Sequence, residues 1–492
     1  MTHSHPESAK PSKGRFFAIM TILMLVEVLS SLESSMVVTA LPTVLKEFKD
    51  ITSAGWLVSC FLLASAATAA VGGRLGDMFG RRRVLIILVV LCAIGSIVSA
   101  QATDIRWIIL GRTIQGASGA ILPLCYGMTR ELAAPGKAPL WIGLLTGGYS
   151  FAAAIGYILG GYLADTGSWR SVFYVTATYA VLLLPLMLLV LPPTRGTKGD
   201  AKFDLLGAVM FAPAIASILY GITTGSKQGW GAPQAWGPVV AGVAVIAVWV
   251  WHELRLAEPL INLRLLRRRE ILVGNACAAF ASAGVMQLPL VTLLLFQQPP
   301  MLGIGLGVSA TVAGLLKLPS NVGSLIASPL GGWVSGKHGS RWAMIQGALI
   351  CIGGWLSLYF LHDTLLQVTV GTVICAFGSS VLLSAIPNLV LEGAPLERSS
   401  EVTGLTTVFR SMFAGIGAQV ITILLATSQI VDPETGASYP AESAYQLTFL
   451  CIAASAVLVA VIAFGVPARK SAAVKPEAAA PPAAAPTPSR NT

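Results

Sequence analysis

Apolar runs of about twenty residues recur along almost the whole chain, separated by short polar segments. The hydrocarbon core of a bilayer is about 30 Å thick, so a helix needs roughly twenty apolar residues to cross it. The chain is therefore predicted to be an all-α integral membrane protein with 14 transmembrane helices. The fourteen runs lie at 16–41, 52–73, 84–102, 106–129, 139–163, 171–192, 204–224, 236–254, 271–297, 308–334, 341–361, 366–391, 402–428 and 444–466.

The composition excludes a soluble protein. Of the 492 residues, 55% are hydrophobic and only 11% are charged, whereas soluble domains carry about 25% charged residues. The seven cysteines form no CxxC pair and the five histidines are scattered, so neither a disulfide framework nor a zinc site is expected. The chain also lacks HExxH, GxSxG and P-loop motifs, which argues against an enzyme.

The basic residues alternate between loops in a way that predicts the orientation of the chain. With the N-terminus in the cytoplasm, 24 lysines and arginines fall in cytoplasmic segments and five in external segments. Three more, Arg112, Lys317 and Arg410, lie inside spans. Cytoplasmic loops of membrane proteins carry such an excess. We therefore expect a multi-pass protein of the cell (inner) membrane with both termini cytoplasmic. This distribution accounts for the net charge of +10, so nucleic acid is not an expected partner.

The chain divides into two similar halves. "GGRLGDMFGRRR" at 72–83 follows the second span and "GGWVSGKHGSRW" at 331–342 follows the tenth, each with glycines seven residues apart. Duplicated halves are typical of secondary transporters, so two pseudo-symmetric six-helix bundles with two inserted helices are predicted. The predicted segments are a cytoplasmic N-terminal segment (1–15), an N-terminal six-helix bundle (16–192), a cytoplasmic linker (193–203), two inserted transmembrane helices (204–254), a basic cytoplasmic linker (255–270), a C-terminal six-helix bundle (271–466) and a disordered cytoplasmic tail (467–492).

Four short motifs together identify a family. They are "GRLGDMFGRRR" at 73–83, "LGRTIQG" at 110–116, a glycine series in the fifth span, and "LESSMVVTALP" at 32–42. In this combination the chain resembles the major facilitator superfamily, in its fourteen-span drug:proton antiporter (multidrug efflux) branch. The resemblance covers roughly residues 16–466. It implies secondary transport by alternating access between two six-helix bundles.

The resemblance implies a conformational latch at the turn after the second span. Its residues would be Gly73, Asp77, Gly80, Arg81 and Arg82, and it would join the two halves in an outward-open state. Glycine permits close approach and tight turning, and a carboxylate accepts hydrogen bonds from arginines. Anchoring by the positive-inside rule alone would explain the arginines, but it explains neither Asp77 nor the glycine spacing.

The glycine series resembles the antiporter motif of the family. Gly147, Gly156, Gly160 and Gly161 would form a smooth face for close helix packing. Tyr157 stands where the family has proline. Proline would bend the helix, whereas tyrosine does not by itself, so the chain departs from the antiporter pattern at this position.

Proton coupling is assigned by the resemblance to Glu33, at the family's aspartate position, and to Arg112 as a relay. Burial disfavours the charged form of a carboxylate, so a buried acid can exchange a proton near neutral pH. Glu27 lies about 9 Å from Glu33 along the helix axis, near the bilayer midplane, where we expect it to serve in proton coupling and to contact substrate. The alternatives are that backbone carbonyls satisfy Arg112, or that one acid is merely paired with Arg112 or Lys317.

The predicted substrate-binding residues come from both halves. They are Glu27, Gln115, Lys317, Asn321 and Arg410. Lys317 lies about ten residues into its span, too deep for easy snorkelling. We hypothesise that it pairs across a central cavity with an acid or receives an anionic group of the substrate. The alternative is a partly hydrated lysine on a cavity wall.

The function expected from the resemblance is proton-coupled export of lipophilic or amphipathic compounds, including drugs. A lipid or amphiphile transporter, or an uptake permease of the same fold, is the alternative, which Tyr157 and Lys317 favour. A membrane enzyme or a receptor is a third and disfavoured interpretation. No cofactor is expected, because the proton gradient would supply the energy. The expected partners are a small lipophilic or amphipathic substrate, protons and membrane lipids, and we expect a monomer.

Overall fold

The computed structural model describes residues 12–48, 51–166, 168–194, 204–229, 231–256, 259, 263–298, 305–308, 310–431 and 438–466. Several predicted segments fall wholly or partly outside these residues. The predicted tail at 467–492 lies outside them entirely, as do residues 1–11 of the predicted N-terminal segment and 195–203 of the first predicted linker. The basic linker is described in part, at residues 255–256, 259 and 263–270.

The first half is built from helices that follow its six predicted runs. They are α1 (Lys13–Phe48), α2 (Ile51–Phe79), α3 (Arg81–Ala100), α4 (Ile105–Gln115), α5 (Ile121–Leu132), α6 (Ala138–Thr166) and α7 (Arg170–Val190). A 3-10 turn over Gly116–Ala120 joins α4 to α5, so these two helices share the fourth run. Glycine has a low helix propensity, and this turn contains two of them.

The inserted pair and the second half follow the remaining runs. They contain α8 (Leu205–Gln228), α9 (Pro233–Arg255), α10 (Arg269–Ala283), α11 (Leu288–Gln297), α12 (Ala310–Leu316), α13 (Leu318–His338), α14 (Ser340–Phe360), α15 (Leu365–Gly393), α16 (Ser399–Leu425) and α17 (Glu442–Phe464). A short antiparallel ladder joins β1 (Gln429–Val431) to β2 (Ser438–Pro440) between α16 and α17. The fold is mostly helical, as predicted, and this short ladder lies in the loop between two helices.

Eleven helical segments of the described chain are long and apolar enough to cross a membrane. They coincide with the predicted runs except the second, seventh and tenth. Those three runs are also helical, as α2, α8 and the α12–α13 pair. The protein is thus a multi-pass integral membrane protein, while the count of fourteen spans stays a prediction.

Each half has its own apolar core. In the first half, buried Leu23, Leu85 and Cys125 bring α1, α3 and α5 into one cluster. In the second half, fully buried Trp355 and Phe449 join α14 and α17, with ring centroids 5.9 Å apart. Because each bundle packs around its own centre, the two bundles can act as separate bodies joined at an interface.

The repeated sequence motif forms the same turn in both halves. Gly80 before α3 has φ +98° and Gly339 before α14 has φ +92°, a region that side chains other than glycine rarely adopt. Gly73 packs against the backbone carbonyl of Ser400, and Gly332 packs against that of Pro139. Each glycine therefore lets its helix approach the backbone of the opposite half.

The two halves meet along two seams, and the inserted helices lie over one of them. In the first seam α2 packs against α16, and in the second α6 packs against α13. Phe211 of α8 and Trp249 of α9 share an apolar cluster with Ala66 of α2 and Leu405 of α16. We call the α2/α16 seam the covered seam and the α6/α13 seam the open seam.

Substitution of Gly73 by leucine is expected to lower the free energy of unfolding by about 1–3 kcal/mol. The added side chain has to displace the Ser400 carbonyl of the opposite half. An SDS titration of the purified protein measures the change. Gly353→Leu is the control, because a side chain at Gly353 meets no atom within 4 Å and should alter stability by less than about 0.5 kcal/mol. Equal losses in the two variants would contradict the close approach at Gly73.

Candidate functional site

Asp77 joins the two halves at one end of the bundle. Its Oδ1 accepts a hydrogen bond from Arg81 Nε at 2.9 Å and lies 2.8 Å from Arg81 Nη2. Its Oδ2 accepts the backbone N–H of Glu401 at 2.9 Å. Glu401 lies in the first turn of α16, so a single buried carboxylate bridges the halves. We call this end of the bundle the Asp77 end.

Arg81 is the second bridging residue at the Asp77 end. Toward the second half, its guanidinium donates to Ser400 Oγ at 2.9 Å and to the Leu396 carbonyl at 3.0 Å. Toward the first half, it donates to the Gly127 carbonyl at 3.2 Å and to Glu131 Oε2 at 2.7 Å. The guanidinium is buried, and its planar set of donors suits such a fork of acceptors.

Other charged residues strengthen the same contact and were not predicted. Arg74 Nη1 lies 3.3 Å from Glu401 Oε2. Arg130 donates to Ser399 Oγ at 2.8 Å and to the Ala394 carbonyl at 2.9 Å. The signal for these partners is the polar stretch at 397–401, "ERSSE", which opens the thirteenth span. Sequence reasoning treated that stretch only as a loop.

The five predicted latch residues divide into two groups. Gly73, Asp77 and Arg81 touch the second half. Gly80 and Arg82 instead contact Thr194, which follows α7 in the first half: the Arg82 backbone N–H donates to Thr194 Oγ1 at 2.9 Å. The turn therefore contacts its own half through Gly80 and Arg82, and it contacts the opposite half through Gly73, Asp77 and Arg81.

Arg112 is buried within the first half and is satisfied mainly by oxygen atoms of the backbone. It donates to the carbonyls of Leu57 at 3.1 Å and Glu33 at 2.8 Å, and to Gln115 Oε1 at 2.9 Å. Its guanidinium carbon lies 4.1 Å from the Phe61 ring centroid, within the range of a cation–π contact. This geometry agrees with a structural arginine, and the relay role stays a prediction.

Gln115 links the arginine to the Glu33 carboxylate. Its Nε2 donates to Ser96 Oγ at 2.7 Å, and Ser96 Oγ lies 3.5 Å from Glu33 Oε1. Glu33 is fully buried, and its Oε2 has no hydrogen-bond partner among the described residues. Both ends of the Gln115 amide are therefore engaged inside the first half, away from the other residues predicted to bind substrate.

Glu27 is a fully buried acid whose two carboxylate oxygens have no hydrogen-bond partner in the described part of the chain. It interacts electrostatically with Tyr126 and Tyr149. The same two tyrosines interact with Arg410 of α16, a half-buried residue whose Nε is likewise unpartnered within the described residues. An acid of one half and a base of the other thus lie within electrostatic range of the same two tyrosines.

Lys317 lies at a break between α12 and α13 and not on a continuous helix. Its Nζ donates to the Pro289 carbonyl at 3.2 Å, and its own carbonyl accepts from Asn321 Nδ2 at 3.1 Å. Both contacts stay in the second half. Pro319 opens a new helix at this point, and the pairing of Lys317 with an acid across a central cavity stays a prediction. Its contact with substrate stays a prediction.

The glycines of α6 serve two neighbours. Gly147 faces α13, with 3.2 Å between its ideal Cβ position and a backbone carbonyl, and Gly156 packs against α1. Gly160 is buried, whereas Gly161 has no neighbouring atom within 4 Å of its ideal Cβ position. Tyr157 is 48% exposed, and α6 runs through it unbroken. The close packing predicted for the series is thus seen at Gly147 and Gly156.

Metal chemistry has no evident site in the described residues. They contain no group of three or more His, Cys, Asp or Glu side chains that could hold an ion. All seven cysteines are free thiols, and six of them are buried. The groups that could carry chemistry inside the bundle are therefore the acids and bases described above.

Comparison with known proteins gives one consistent picture. The family described as Major Facilitator Superfamily matches residues 23–320 and 291–490. The "Multidrug resistance protein Stp" of Mycobacterium tuberculosis is 28% identical over 83% of this chain and 76% of its own length. The "Tetracenomycin C resistance and export protein" of Streptomyces glaucescens is 24% identical over 87% and 80%. The crystal structure of the human organic anion transporter MFSD10 has a TM-score of 0.62 at 16% identity, over 92% of this chain and 99% of its own.

Replacement of Asp77 by asparagine is expected to loosen the contact between the halves. The substitution weakens the hydrogen bonds that the Asp77 carboxylate accepts from Arg81 and from the Glu401 backbone N–H, and a hydrogen bond to a charged group contributes about 1.5–3 kcal/mol. The readout is a cysteine at Thr403, a buried residue whose hydroxyl lies 3.5 Å from the Pro123 carbonyl of the first half. In a C451S background, which removes the exposed native thiol, T403C should react with a water-soluble maleimide at least about tenfold faster when D77N is added.

Glu131→Gln is the matched control for this experiment. It removes another carboxylate from Arg81, but Glu131 belongs to the same half and its side chain is 34% exposed. A partly exposed pair contributes about 1 kcal/mol or less, so T403C labelling should change only slightly. If E131Q accelerates labelling as much as D77N, the bridging role of Asp77 is wrong.

Proposed function

We propose that this chain, which belongs to the major facilitator superfamily, exports small lipophilic or amphipathic compounds in exchange for protons. It is a transporter and not an enzyme, as its family and its relatives indicate. Relatives named for multidrug resistance and for antibiotic resistance and export support a drug-like substrate. They also support the drug-efflux branch of the family and outward transport.

The main support for this proposal is that the Glu27 carboxylate is fully buried. An ionised carboxylate is strongly disfavoured in a dry interior without a partner, and both Glu27 oxygens are unpartnered among the described residues. The acid therefore needs either a proton or a cationic or hydrogen-bond-donating group of a substrate. A cationic group of the substrate requires the ionised carboxylate, so its binding displaces the proton from Glu27, which is the exchange that an antiporter requires.

Glu33 serves in a different way in this proposal. It is tied to Arg112 through Ser96 and Gln115, and Arg112 also acts electrostatically on its carboxylate. A change in its protonation alters the charge balance of a network that spans α1, α3 and α4. We propose that Glu27 exchanges its proton for substrate and that Glu33 couples this exchange to the movement of the halves, with Arg112 holding the backbone around Glu33 in place.

Alternating access would use the Asp77 end as its closed gate. The buried bridges of Asp77 and Arg81 hold the halves together there, and their release would open a path from that side. We propose that this side is cytoplasmic in the inner membrane, that the chain crosses the membrane fourteen times with both termini inside, and that a monomer suffices. Uptake of cargo by the same fold is the alternative, and the direction of flux decides between the two.

Glu33→Gln should abolish the response of transport to a proton gradient. Glutamine keeps the shape and hydrogen bonding but cannot titrate, so flux should no longer change with the imposed gradient. Proteoliposomes loaded with the lipophilic cation tetraphenylphosphonium, under gradients of either sign, provide the measurement. Asp363→Asn, an exposed acid between α14 and α15, is the control and should behave as wild type. If E33Q keeps the gradient response, Glu33 does not couple transport to protons.

Glu27→Gln should weaken binding of the same cation and leave the binding of a neutral amphiphile of similar size unchanged. Loss of one charge from a desolvated pair costs about 2 kcal/mol or more, which corresponds to an affinity roughly thirtyfold lower. Equilibrium binding of tetraphenylphosphonium to the purified protein is the measurement, with a neutral amphiphile of similar size for comparison. Equal affinity of E27Q and wild type for the cation would exclude Glu27 from the substrate site.

A further inference from the structure

The two seams between the halves differ in what lies over them. The covered seam is overlaid by α8 and α9, whose Phe211 and Trp249 pack onto α2 and α16. The open seam carries an apolar groove of about 500 Å³. Its lining residues come from both halves and are Leu140, Ile326, Pro329, Leu330 and Trp333.

The groove presents a nearly pure hydrocarbon surface. Ile326 is 55% exposed, Leu330 46% and Trp333 48%. The groove borders α6, one of the helices long and apolar enough to cross a bilayer, so lipid is what surrounds it. An apolar chain that fills the groove would touch both bundles at once, because Leu140 belongs to α6 and the other lining residues belong to α13.

Two lysines stand at the same end of the open seam. Lys137 precedes α6, and Lys337 lies in the last turn of α13. They come close because the ideal Cβ position of Gly336 lies 3.2 Å from the Gly136 carbonyl. Both lysines are exposed, and neither is paired with a carboxylate among the described salt bridges.

Lys337 is connected directly to the groove. Its ammonium nitrogen lies 4.8 Å from the centroid of the Trp333 ring, and Trp333 lines the groove. Tryptophan and lysine are the residues that anchor a helix at the boundary between hydrocarbon and headgroups. A cation from each half therefore flanks one apolar groove at the depth where a phospholipid changes from acyl chain to phosphate.

We propose that the open seam binds an anionic phospholipid, with its phosphate between Lys137 and Lys337 and an acyl chain in the groove. Basic pockets between transmembrane helices bind anionic headgroups. The site lies at the Asp77 end, since α5 just before Lys137 contributes Glu131 to Arg81. That end is the one proposed to face the cytoplasm, whose leaflet is rich in anionic lipid. A lipid seated there joins both halves at the seam that the inserted helices leave open.

Native mass spectrometry of the purified full-length protein tests this site without any transport measurement, so its outcome is independent of the proposed function. The probes are palmitoyl-oleoyl phosphatidylglycerol and palmitoyl-oleoyl phosphatidylcholine, which share their chains and differ in headgroup charge. Wild type should retain the anionic lipid in preference to the zwitterionic one. The double variant K137Q/K337Q should bind phosphatidylglycerol roughly thirtyfold more weakly and phosphatidylcholine unchanged.

Two further variants separate a specific site from general attraction. The double variant R83Q/R267Q removes the same charge from exposed arginines away from the open seam and should keep the wild-type preference. Ile326→Trp fills the groove and leaves both lysines in place, and it should lose phosphatidylglycerol. The proposal is overturned if wild type retains the two lipids equally, if K137Q/K337Q matches R83Q/R267Q, or if I326W retains phosphatidylglycerol as wild type does.

Discussion

The cost of an ionised group inside hydrocarbon governs most of what this bundle does with its few charges. A charged side chain at the centre of a membrane helix is costly unless it is paired or hydrated. Carbonyl oxygens of α1 and α2 and a cation–π contact stabilise the charge of Arg112. Arg81 and Asp77 form an ion pair with each other and hydrogen bonds to the opposite half. The polar contacts between the halves and the transport proposal both follow from how these charges are satisfied.

Glu27 and Arg410 are not fully satisfied in this way, and they lie in different halves. Each has at least one buried polar atom without a partner among the described residues, and both interact with Tyr126 and Tyr149. A buried polar group without a partner raises the free energy of that conformation, and a proton, a substrate or a rearrangement of the halves can supply the missing interaction. Because the unsatisfied groups lie in both bundles, a ligand that binds them also favours one relative position of the bundles.

The sequence predicted those features that depend on residues close together in the chain. Helix positions followed from apolar run length, and the two matching turns followed from glycine spacing, which Gly80 and Gly339 confirm with positive φ. It could not supply the partners of Asp77 and Arg81, because Ser400 and Glu401 lie more than 300 residues away. It also did not reveal the helix break at Lys317, because a proline two residues later opens a new helix, a local event that run length does not register.

The inserted α8–α9 pair makes the two seams between the halves different. A twelve-helix arrangement of two similar halves has two equivalent lines along which the bundles separate, and both would face lipid. The α8–α9 pair covers one line with aromatic side chains that contact both halves, whereas an apolar groove is exposed along the other. For the lipophilic substrate proposed above, the open seam is the exposed lateral approach. The polar contacts of Asp77 and Arg81 link the first half to α16 and the segment before it, so they act beside the covered seam and leave the open seam as the exposed line of approach.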